Sequence, residues 1–182
     1  MLTEFQKKKL NKVFQNHDFD SNGVLEKADF EGLVTNLCQF RNYHKESSEY
    51  KKLESNFMNL WSELQKVADA NSDNQVTLDE WFTCFDSVLA TKDSYNQVID
   101  PIIDLLFDIA DVDGDGQINQ EEYKLLYKNW NLSESEASES FSKIDGNGDG
   151  ILDKQEYKQL FYELFCSDDP NALGNWVVGA LS

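Results

Sequence analysis

The stretch Asp111–Glu122, DVDGDGQINQEE, carries carboxylates at its first, third, fifth and twelfth residues and glycine at its sixth. Three more twelve-residue stretches repeat this spacing of oxygen-bearing side chains: Asp18–Asp29 (DFDSNGVLEKAD), Asp69–Glu80 (DANSDNQVTLDE) and Asp145–Glu156 (DGNGDGILDKQE). One acidic stretch of this kind could be an ordinary turn between helices. Four in order along a chain of 182 residues indicate a repeated functional unit.

This spacing suits Ca²⁺, which takes about six to eight hard oxygen ligands that a twelve-residue EF-hand loop can supply. Side chains at positions 1, 3, 5 and 12 and the backbone carbonyl at position 7 bind the ion in such a loop. We number the four loops in chain order. The predicted metal ligands are Asp18, Asp20, Asn22, Val24 and Asp29 in loop 1; Asp69, Asn71, Asp73, Gln75 and Glu80 in loop 2; Asp111, Asp113, Asp115, Gln117 and Glu122 in loop 3; and Asp145, Asn147, Asp149, Ile151 and Glu156 in loop 4.

Loops 1 and 2 depart from this pattern at one position each. Loop 2 has Asn74 where the others have glycine at position 6, and asparagine is among the few residues that adopt a positive φ. Loop 1 ends in Asp29, which is one methylene shorter than glutamate. We expect weaker calcium binding there, or tolerance of Mg²⁺, which demands compact octahedral coordination. The sequence predicts three to four bound Ca²⁺ ions, with Mg²⁺ as a competitor chiefly at loop 1.

The flanks of the loops predict the fold. Apolar residues recur around each loop at helical spacing, and directly after the loops come the aromatic residues Phe30, Trp81, Tyr123 and Tyr157. Position 8 is apolar in every loop, which predicts short antiparallel strands that pair loop 1 with loop 2 and loop 3 with loop 4: Leu25, Val76, Ile118 and Leu152. The predicted fold class is all-α, with four EF-hands in two paired lobes packed into one compact body.

The predicted organisation has three parts. Residues 1–92 form an N-terminal pair of hands, residues 93–166 a C-terminal pair, and residues 167–182 an apolar tail. A short connector, Thr91–Gln97, predicts lobes packed together rather than a dumbbell. Pro101 is expected early in the helix that follows this connector, in the first turn, where proline is tolerated.

Two local features accompany this organisation. A polar insertion, Arg41–Glu49, lengthens the first half of the chain before a long helix. Before loop 4, Ser133 and Glu136 have the spacing of a capping box, which predicts the start of a helix.

The tail contains an apolar cluster, Trp176, Val177, Val178 and Leu181. A frayed terminus is one interpretation. The interpretation we favour is that the tail docks in a cleft between the hands and acts as a built-in target peptide.

The net charge of −18 mostly reflects metal ligands, since thirteen carboxylates occupy positions 1, 3, 5 or 12 of the loops. Four Ca²⁺ ions would add eight positive charges and leave −10, so we expect the metal-free protein to be loosened by repulsion. The longest basic run, Lys7–Lys9, lies on an amphipathic helix, which argues against nucleic-acid binding. Leu2 stands where N-myristoylation requires glycine, so no membrane anchor is expected.

The chain offers no catalytic constellation. His17 lies at an apolar helix position beside loop 1, which favours a packed histidine, and His44 lies in the polar insertion. There is no phosphate-binding GxxxxGK[ST] motif. We therefore expect a calcium-binding protein that is not an enzyme. Three cysteines on helical stripes suit reduced thiols in a cytoplasmic protein, which we expect to be a monomer: Cys38, Cys84 and Cys166.

Two calcium-binding roles remain. Sensors open on binding calcium and expose a methionine-rich groove, whereas this chain has only Met1 and Met58. The sequence therefore favours a calcium buffer, for which no protein target is required. A sensor that opens to bind a target is the alternative.

The chain also resembles the invertebrate sarcoplasmic calcium-binding proteins and their relatives calexcitin and calerythrin. The resemblance rests on DFDSNGVLEKADF, on ADANSDNQVTLDEW and on the ending DPNALGNWVVGAL. It implies a compact four-hand buffer of cytosolic Ca²⁺ and Mg²⁺, often with one or two silent hands. Here all four loops keep plausible ligands, so the resemblance does not identify a silent one. Calexcitin, regarded as a neuronal signalling protein, keeps the sensor role open.

Calcium-triggered photoproteins, which hold coelenterazine between their lobes, are similar in architecture. The chain has only two histidines and has Ser182 where photoproteins end in proline, and both features argue against this third function.

Overall fold

The computed structural model describes residues 1–130, 132–179 and 181; Ser182, used in the comparison with photoproteins, lies outside them. Eight α-helices run through this part of the chain: α1 (Glu4–His17), α2 (Lys27–Phe40), α3 (Ser48–Ala68), α4 (Leu78–Val88), α5 (Lys92–Ala110), α6 (Gln120–Asn129), α7 (Glu134–Ile144) and α8 (Lys154–Cys166). One 3-10 helix, Leu173–Trp176, follows in the tail.

Helices that precede a loop begin at a hydroxyl side chain and end at the first residue of the loop. The N-caps of α1, α3, α5 and α7 each accept a hydrogen bond from the backbone N–H three residues later: Thr3, Ser47, Thr91 and Ser133. The box predicted at Ser133 and Glu136 is confirmed. The aspartate at position 1 of each loop is the C-cap of the same helix. The first metal ligand is therefore placed by the end of a helix.

Two short antiparallel sheets join the loops in pairs. Strand β1 (Val24–Leu25) pairs with β2 (Val76–Thr77), and β3 (Gln117–Asn119) pairs with β4 (Ile151–Asp153). The apolar residues at position 8 lie opposite one another and are buried, as predicted: Leu25 with Val76, and Ile118 with Leu152.

The two lobes share one core. Helix α1 packs against α8, α2 against α6 and α3 against α5. Rings from the two lobes meet directly, with the centroids of Phe85 and Phe165 5.1 Å apart. The predicted all-α fold of paired hands in one body is confirmed.

The connector between the lobes differs from its prediction. Helix α5 begins at Lys92, so Thr91–Gln97 is mostly helical and only Leu89, Ala90 and Thr91 separate α4 from α5. The placement of Pro101 in a first turn is wrong, because this residue lies in the middle of α5. Tyr95 and Ile99 precede Pro101 and are buried in the shared core, and this burial stabilises the first half of α5. The helix forms there although Pro101 removes one backbone hydrogen bond.

Two basic side chains bridge the lobes. Lys9 of α1 has no exposed surface, and its Nζ donates to the carbonyls of Glu163 and Ser167 at the end of α8. Arg41, in the polar insertion, donates from Nη2 to the carbonyl of Ile109 at 2.8 Å, directly before loop 3. Cations near a helix C-terminus satisfy its free carbonyls and oppose its dipole.

His17 is packed, as predicted. Its ring is buried, lies 6.1 Å from the ring of Phe30 between centroids, and contacts the carbonyl of Val13 through Nδ1 at 2.9 Å. Burial lowers the pKa of this imidazole below its ordinary value. The ring therefore contributes to the core as a neutral group.

The tail returns to the body. The 3-10 helix Leu173–Trp176 packs against α7 and α8, and Val177 and Val178 are each 1 % exposed. Tyr127 donates its hydroxyl to the carbonyl of Trp176 at 2.9 Å, and Tyr123 donates to that of Val177 at 3.0 Å. The tail thus packs chiefly on the C-terminal lobe and is also bonded to α1 of the N-terminal lobe through Asn16.

Candidate metal centres

All four loops share one backbone arrangement. The N–H of position 6 donates to the carboxylate of position 1 at 3.0 Å in every loop, although that residue is glycine in three loops and Asn74 in loop 2. Each of these residues has a positive φ, from +69° at Asn74 to +89° at Gly23. The loops are therefore held in one ligand-presenting conformation by their own hydrogen bonds.

Position 12 is held by the start of the following helix. In loops 2, 3 and 4 the residue at position 9 is the N-cap and the acid at position 12 is the third helical residue, so each side chain satisfies the other's backbone N–H. In loop 1, Asp29 accepts from the N–H of Glu26 at 2.8 Å. The capping box places the last predicted ligand over the loop.

Loops 1 and 3 bring their acids closest together. Carboxylate oxygens of Asp18, Asp20 and Asp29 lie within 4.8 Å of one another, and the same holds for Asp111, Asp113 and Asp115. Converging hard oxygens without an intervening basic group are the donor set that Ca²⁺ and Mg²⁺ prefer. These residues therefore fit the cation that the spacing predicts.

The acids at position 12 of these two loops accept a hydrogen bond from the same place, the backbone N–H of position 2. Glu122 accepts from the N–H of Val112 at 2.7 Å, and the shorter Asp29 accepts from that of Phe19 at 3.0 Å. Asp29 is 2 % exposed, and burial raises the pKa of its carboxyl although three backbone N–H groups oppose this shift. A cation bound beside Asp29 would offset the cost of burying its charge.

Loops 2 and 4 have an amide at position 3. Asn71 donates from Nδ2 to Asp73 at 3.0 Å, and Asn147 donates to Asp149 at 3.1 Å and to Glu156 at 2.7 Å. In loop 2, hydrogen bonds from Thr77 hold the pKa of the Glu80 carboxyl below its ordinary value. Asn147 therefore links two acids of its loop whereas Asn71 contacts one, and each amide keeps an oxygen that can ligate.

Comparison with known proteins agrees with this geometry. A family model described as EF hand matches residues 102–127 and 138–162. Calerythrin of Saccharopolyspora erythraea is 30 % identical over 147 residues, covering 80 % of this chain and 83 % of the relative. This chain belongs to the sarcoplasmic and calerythrin-type family of EF-hand calcium-binding proteins. As a member of this non-enzymatic family it is a calcium-binding protein and not an enzyme.

Solved structures of EF-hand proteins share the fold. A sarcoplasmic calcium-binding protein from amphioxus superposes with a TM-score of 0.77 and 26 % identity, covering 98 % of each chain. The coelenterazine-binding protein of Renilla muelleri superposes with a TM-score of 0.82 over 98 % of this chain and 99 % of its own, at 18 % identity. The second likeness concerns the fold alone.

The position-7 residues of this EF-hand protein lie at the starts of the strands. Val24, Gln117 and Ile151 begin β1, β3 and β4, and Gln75 directly precedes β2. Their backbone carbonyls are the predicted ligands. The side chain of Gln75 has a separate contact: its Nε2 donates to the carboxylate of Glu26 in loop 1 at 3.2 Å.

Sequence reasoning left two sets of residues out of the site. One is the N-caps at position 9, which orient the terminal acids: Glu26, Thr77, Asn119 and Asp153. The capping-box spacing between positions 9 and 12 would have found them. The other is Gln65, which contacts loop 2 from α3; its polarity at a position that is phenylalanine in the other hands was the available signal.

No described helix of this family member has the length and apolar character of a membrane-crossing segment.

Proposed function

We propose that the protein is a cytosolic calcium buffer that binds up to four Ca²⁺ ions and admits Mg²⁺ at loop 1. The observation that carries this proposal is the docked tail, whose buried Val177 and Val178 cover apolar surface of the body. We infer that a sensor would need such a surface free to receive a target. Family membership supports calcium binding, and the four shared loop conformations support four sites.

The tail is attached by backbone contacts as well as by apolar packing. Its carbonyls accept from two buried tyrosine hydroxyls of α6, and Asn16 of α1 donates to the carbonyl of Val178 at 3.2 Å. Gly174 lies so close to α8 that a Cβ there would come within 2.2 Å of the carbonyl oxygen of Leu160. Such a fit supports a permanent part of the fold rather than a loose cover.

The surface of the described residues also favours a buffer. Its exposed large apolar side chains are scattered, and single exposed apolar residues are ordinary in folded proteins: Met1, Phe19, Val67 and Leu173. A target-binding surface would require a contiguous patch.

The space between the lobes argues against coelenterazine as a ligand. The cavity there has a volume of about 30 Å³ and is closed by large side chains that include Trp81, Trp130 and Phe161. A cavity of this size can hold about one water molecule, and among the described residues that line it His17 is the only titratable one.

The short acid of loop 1 supports the assignment of Mg²⁺. Asp29 makes the same backbone contacts as Glu122 although its side chain is one methylene shorter. A shorter acid reaches less easily for bidentate ligation, and fewer ligand oxygens suit the octahedral coordination of Mg²⁺.

A calcium titration with a dye that binds exposed apolar surface, performed in millimolar Mg²⁺, tests the buffer. We expect the calcium-loaded protein to bind no more dye than the metal-free protein, because calcium stabilises a closed body. A steep rise in dye fluorescence at micromolar calcium would overturn the buffer role and favour a sensor.

The number of sites is tested by one charge-neutralising variant per loop. Asp29→Asn, Glu80→Gln, Glu122→Gln and Glu156→Gln should each remove one high-affinity ion when stoichiometry is measured by calorimetry. Asp79→Asn, adjacent to Glu80 and outside the predicted ligand set, should keep the full stoichiometry. A variant that keeps every ion would show that its loop is silent.

A further inference from the structure

Hand 2 departs from the other three hands at two separate places. Four residues before its loop it has Gln65, where the other hands have the buried rings of Phe14, Phe107 and Phe141. At position 6 of the loop it has Asn74, where the others have glycine. These two exceptions are nine positions apart in the sequence.

The two exceptions contact each other. Gln65 Nε2 donates to Asn74 Oδ1 at 3.0 Å and also reaches Asp69 Oδ2 at 3.3 Å. The backbone N–H of Asn74 donates to the same Asp69 oxygen at 3.0 Å. The three residues thus close a ring of hydrogen bonds around the first ligand of the loop.

This ring of hydrogen bonds supports a positive φ at Asn74, which is unfavourable for a residue with a Cβ but not for glycine. Asn74 has a φ of +69°, a region in which a side chain is disfavoured because of its Cβ. A fixed side-chain oxygen restrains the rotation of Asn74 and keeps its N–H directed at Asp69. In the other hands glycine adopts the turn without such support, and the helix position is free to place a phenylalanine in the core.

We propose that Gln65 is a positioning residue for the second metal loop, holding Asn74 in the conformation that glycine adopts elsewhere. This inference rests on the proposed function because it assumes that loop 2 binds calcium. It assigns the polar residue in α3 a role in the affinity of hand 2 rather than in the core. Gln65 itself is not a ligand.

The first test uses the metal-free protein and does not depend on calcium. Gln65→Met removes the amide at similar length, and Lys66→Met on the same helix is the matched control, since Lys66 bonds only Glu63 in this region. Hydrogen exchange at the Asn74 amide should accelerate about five- to tenfold in Gln65→Met, as expected for the loss of supporting hydrogen bonds, and stay unchanged in Lys66→Met. Circular dichroism checks that both variants fold.

The second test follows the Gln75 amide by NMR during a calcium titration, because this resonance belongs to loop 2 alone. Gln65→Met should weaken calcium binding at loop 2 about fivefold and leave the other loops unchanged. Asn74→Gly in the Gln65→Met background should restore the affinity, since glycine needs no side-chain support. A purely structural role for Gln65 would lower stability without such a rescue.

The outcomes separate this inference from the proposed function. Unchanged exchange and affinity in Gln65→Met, or a loss that Asn74→Gly does not rescue, would overturn the positioning role. If wild-type loop 2 takes no calcium while exchange at Asn74 still depends on Gln65, the positioning role stands and the fourth metal site fails.

Discussion

The N-terminal loops, 1 and 2, and the C-terminal loops, 3 and 4, reach one conformation with different residues. At position 4 the first pair has Ser21 and Ser72, with φ near +60°, whereas the second pair has Gly114 and Gly148. The glycine N–H donates directly to the first aspartate, at 2.7 and 2.8 Å. In loops 1 and 2 position 5 makes that contact, at 3.0 and 3.2 Å.

An EF-hand loop can therefore form against local backbone preference when its hydrogen bonds and its neighbours support the conformation. The family model matches only hands 3 and 4, whose loops use glycine at both positive-φ positions. Hands 1 and 2 are nevertheless present, paired through β1 and β2. In hand 2, the side chain of Gln65 adds a contact to the loop that the other hands lack.

The largest expected effect concerns the tail, which docks chiefly on the C-terminal lobe. Gly174→Ala should lower the free energy of unfolding by about 3 kcal/mol and raise dye binding, because its Cβ would overlap the backbone of α8. Urea unfolding in saturating calcium measures the change. Leu173→Ala, which truncates a side chain that is 42 % exposed, is the control and should change little. Wild-type stability in Gly174→Ala would show that the tail contributes nothing to the C-terminal lobe.

The next effect concerns the coupling of the two lobes. Lys9→Met should lower the free energy of unfolding by about 2 kcal/mol, because two carbonyls at the end of α8 lose a charged donor. The exposed neighbour Lys8 provides the control variant Lys8→Met. Calorimetry should show a broader transition in Lys9→Met as the lobes unfold less cooperatively. An unchanged single transition would mean that Lys9 does not contribute to the coupling of the lobes.

A reciprocal exchange of the terminal acids sharpens the contrast in ion preference. Asp29→Glu should raise the preference of loop 1 for Ca²⁺ over Mg²⁺ about tenfold, and Glu122→Asp should lower that of loop 3 by a similar factor. Competition titrations resolved by loop-specific NMR signals measure both. Equal preferences in wild-type loops 1 and 3 would contradict the assignment of Mg²⁺ to loop 1.

The smallest effect tests the serines at position 4. Ser72→Gly should raise the stability of the metal-free protein by less than about 1 kcal/mol, since relief of strain is partly offset by the greater freedom of glycine in the unfolded chain. Gly148→Ser, at the matching place in loop 4, should destabilise it. Unfolding in the presence of a chelator gives both values. A loss of stability in Ser72→Gly would show that the serine is favourable in its loop.

Much of this architecture was predictable because its signals are local. Ligand spacing identified the four loops, apolar residues at position 8 predicted both strand pairs, and the box at Ser133 predicted the start of α7. The metal ligands remain predictions, supported by converging oxygens in loops 1 and 3. Pro101 was misplaced because local propensity predicted that the helix starts near it. Packing between the lobes instead extends α5 towards its N-terminus, as far as Lys92.

The repeated loops and the helical class follow from the sequence alone, because each depends on residues within about a dozen positions of one another. The pairing of the hands follows from an apolar residue that recurs at position 8 of each loop, although the paired residues lie far apart in the chain. Three other features follow from tertiary packing alone: Lys9 and Arg41 cap helices of the other lobe, the tail lies on α7 and α8, and Gln65 contacts Asn74. These contacts depend on where helices meet in space and on the direction in which each side chain points. A pattern of residue types along one chain does not contain that information.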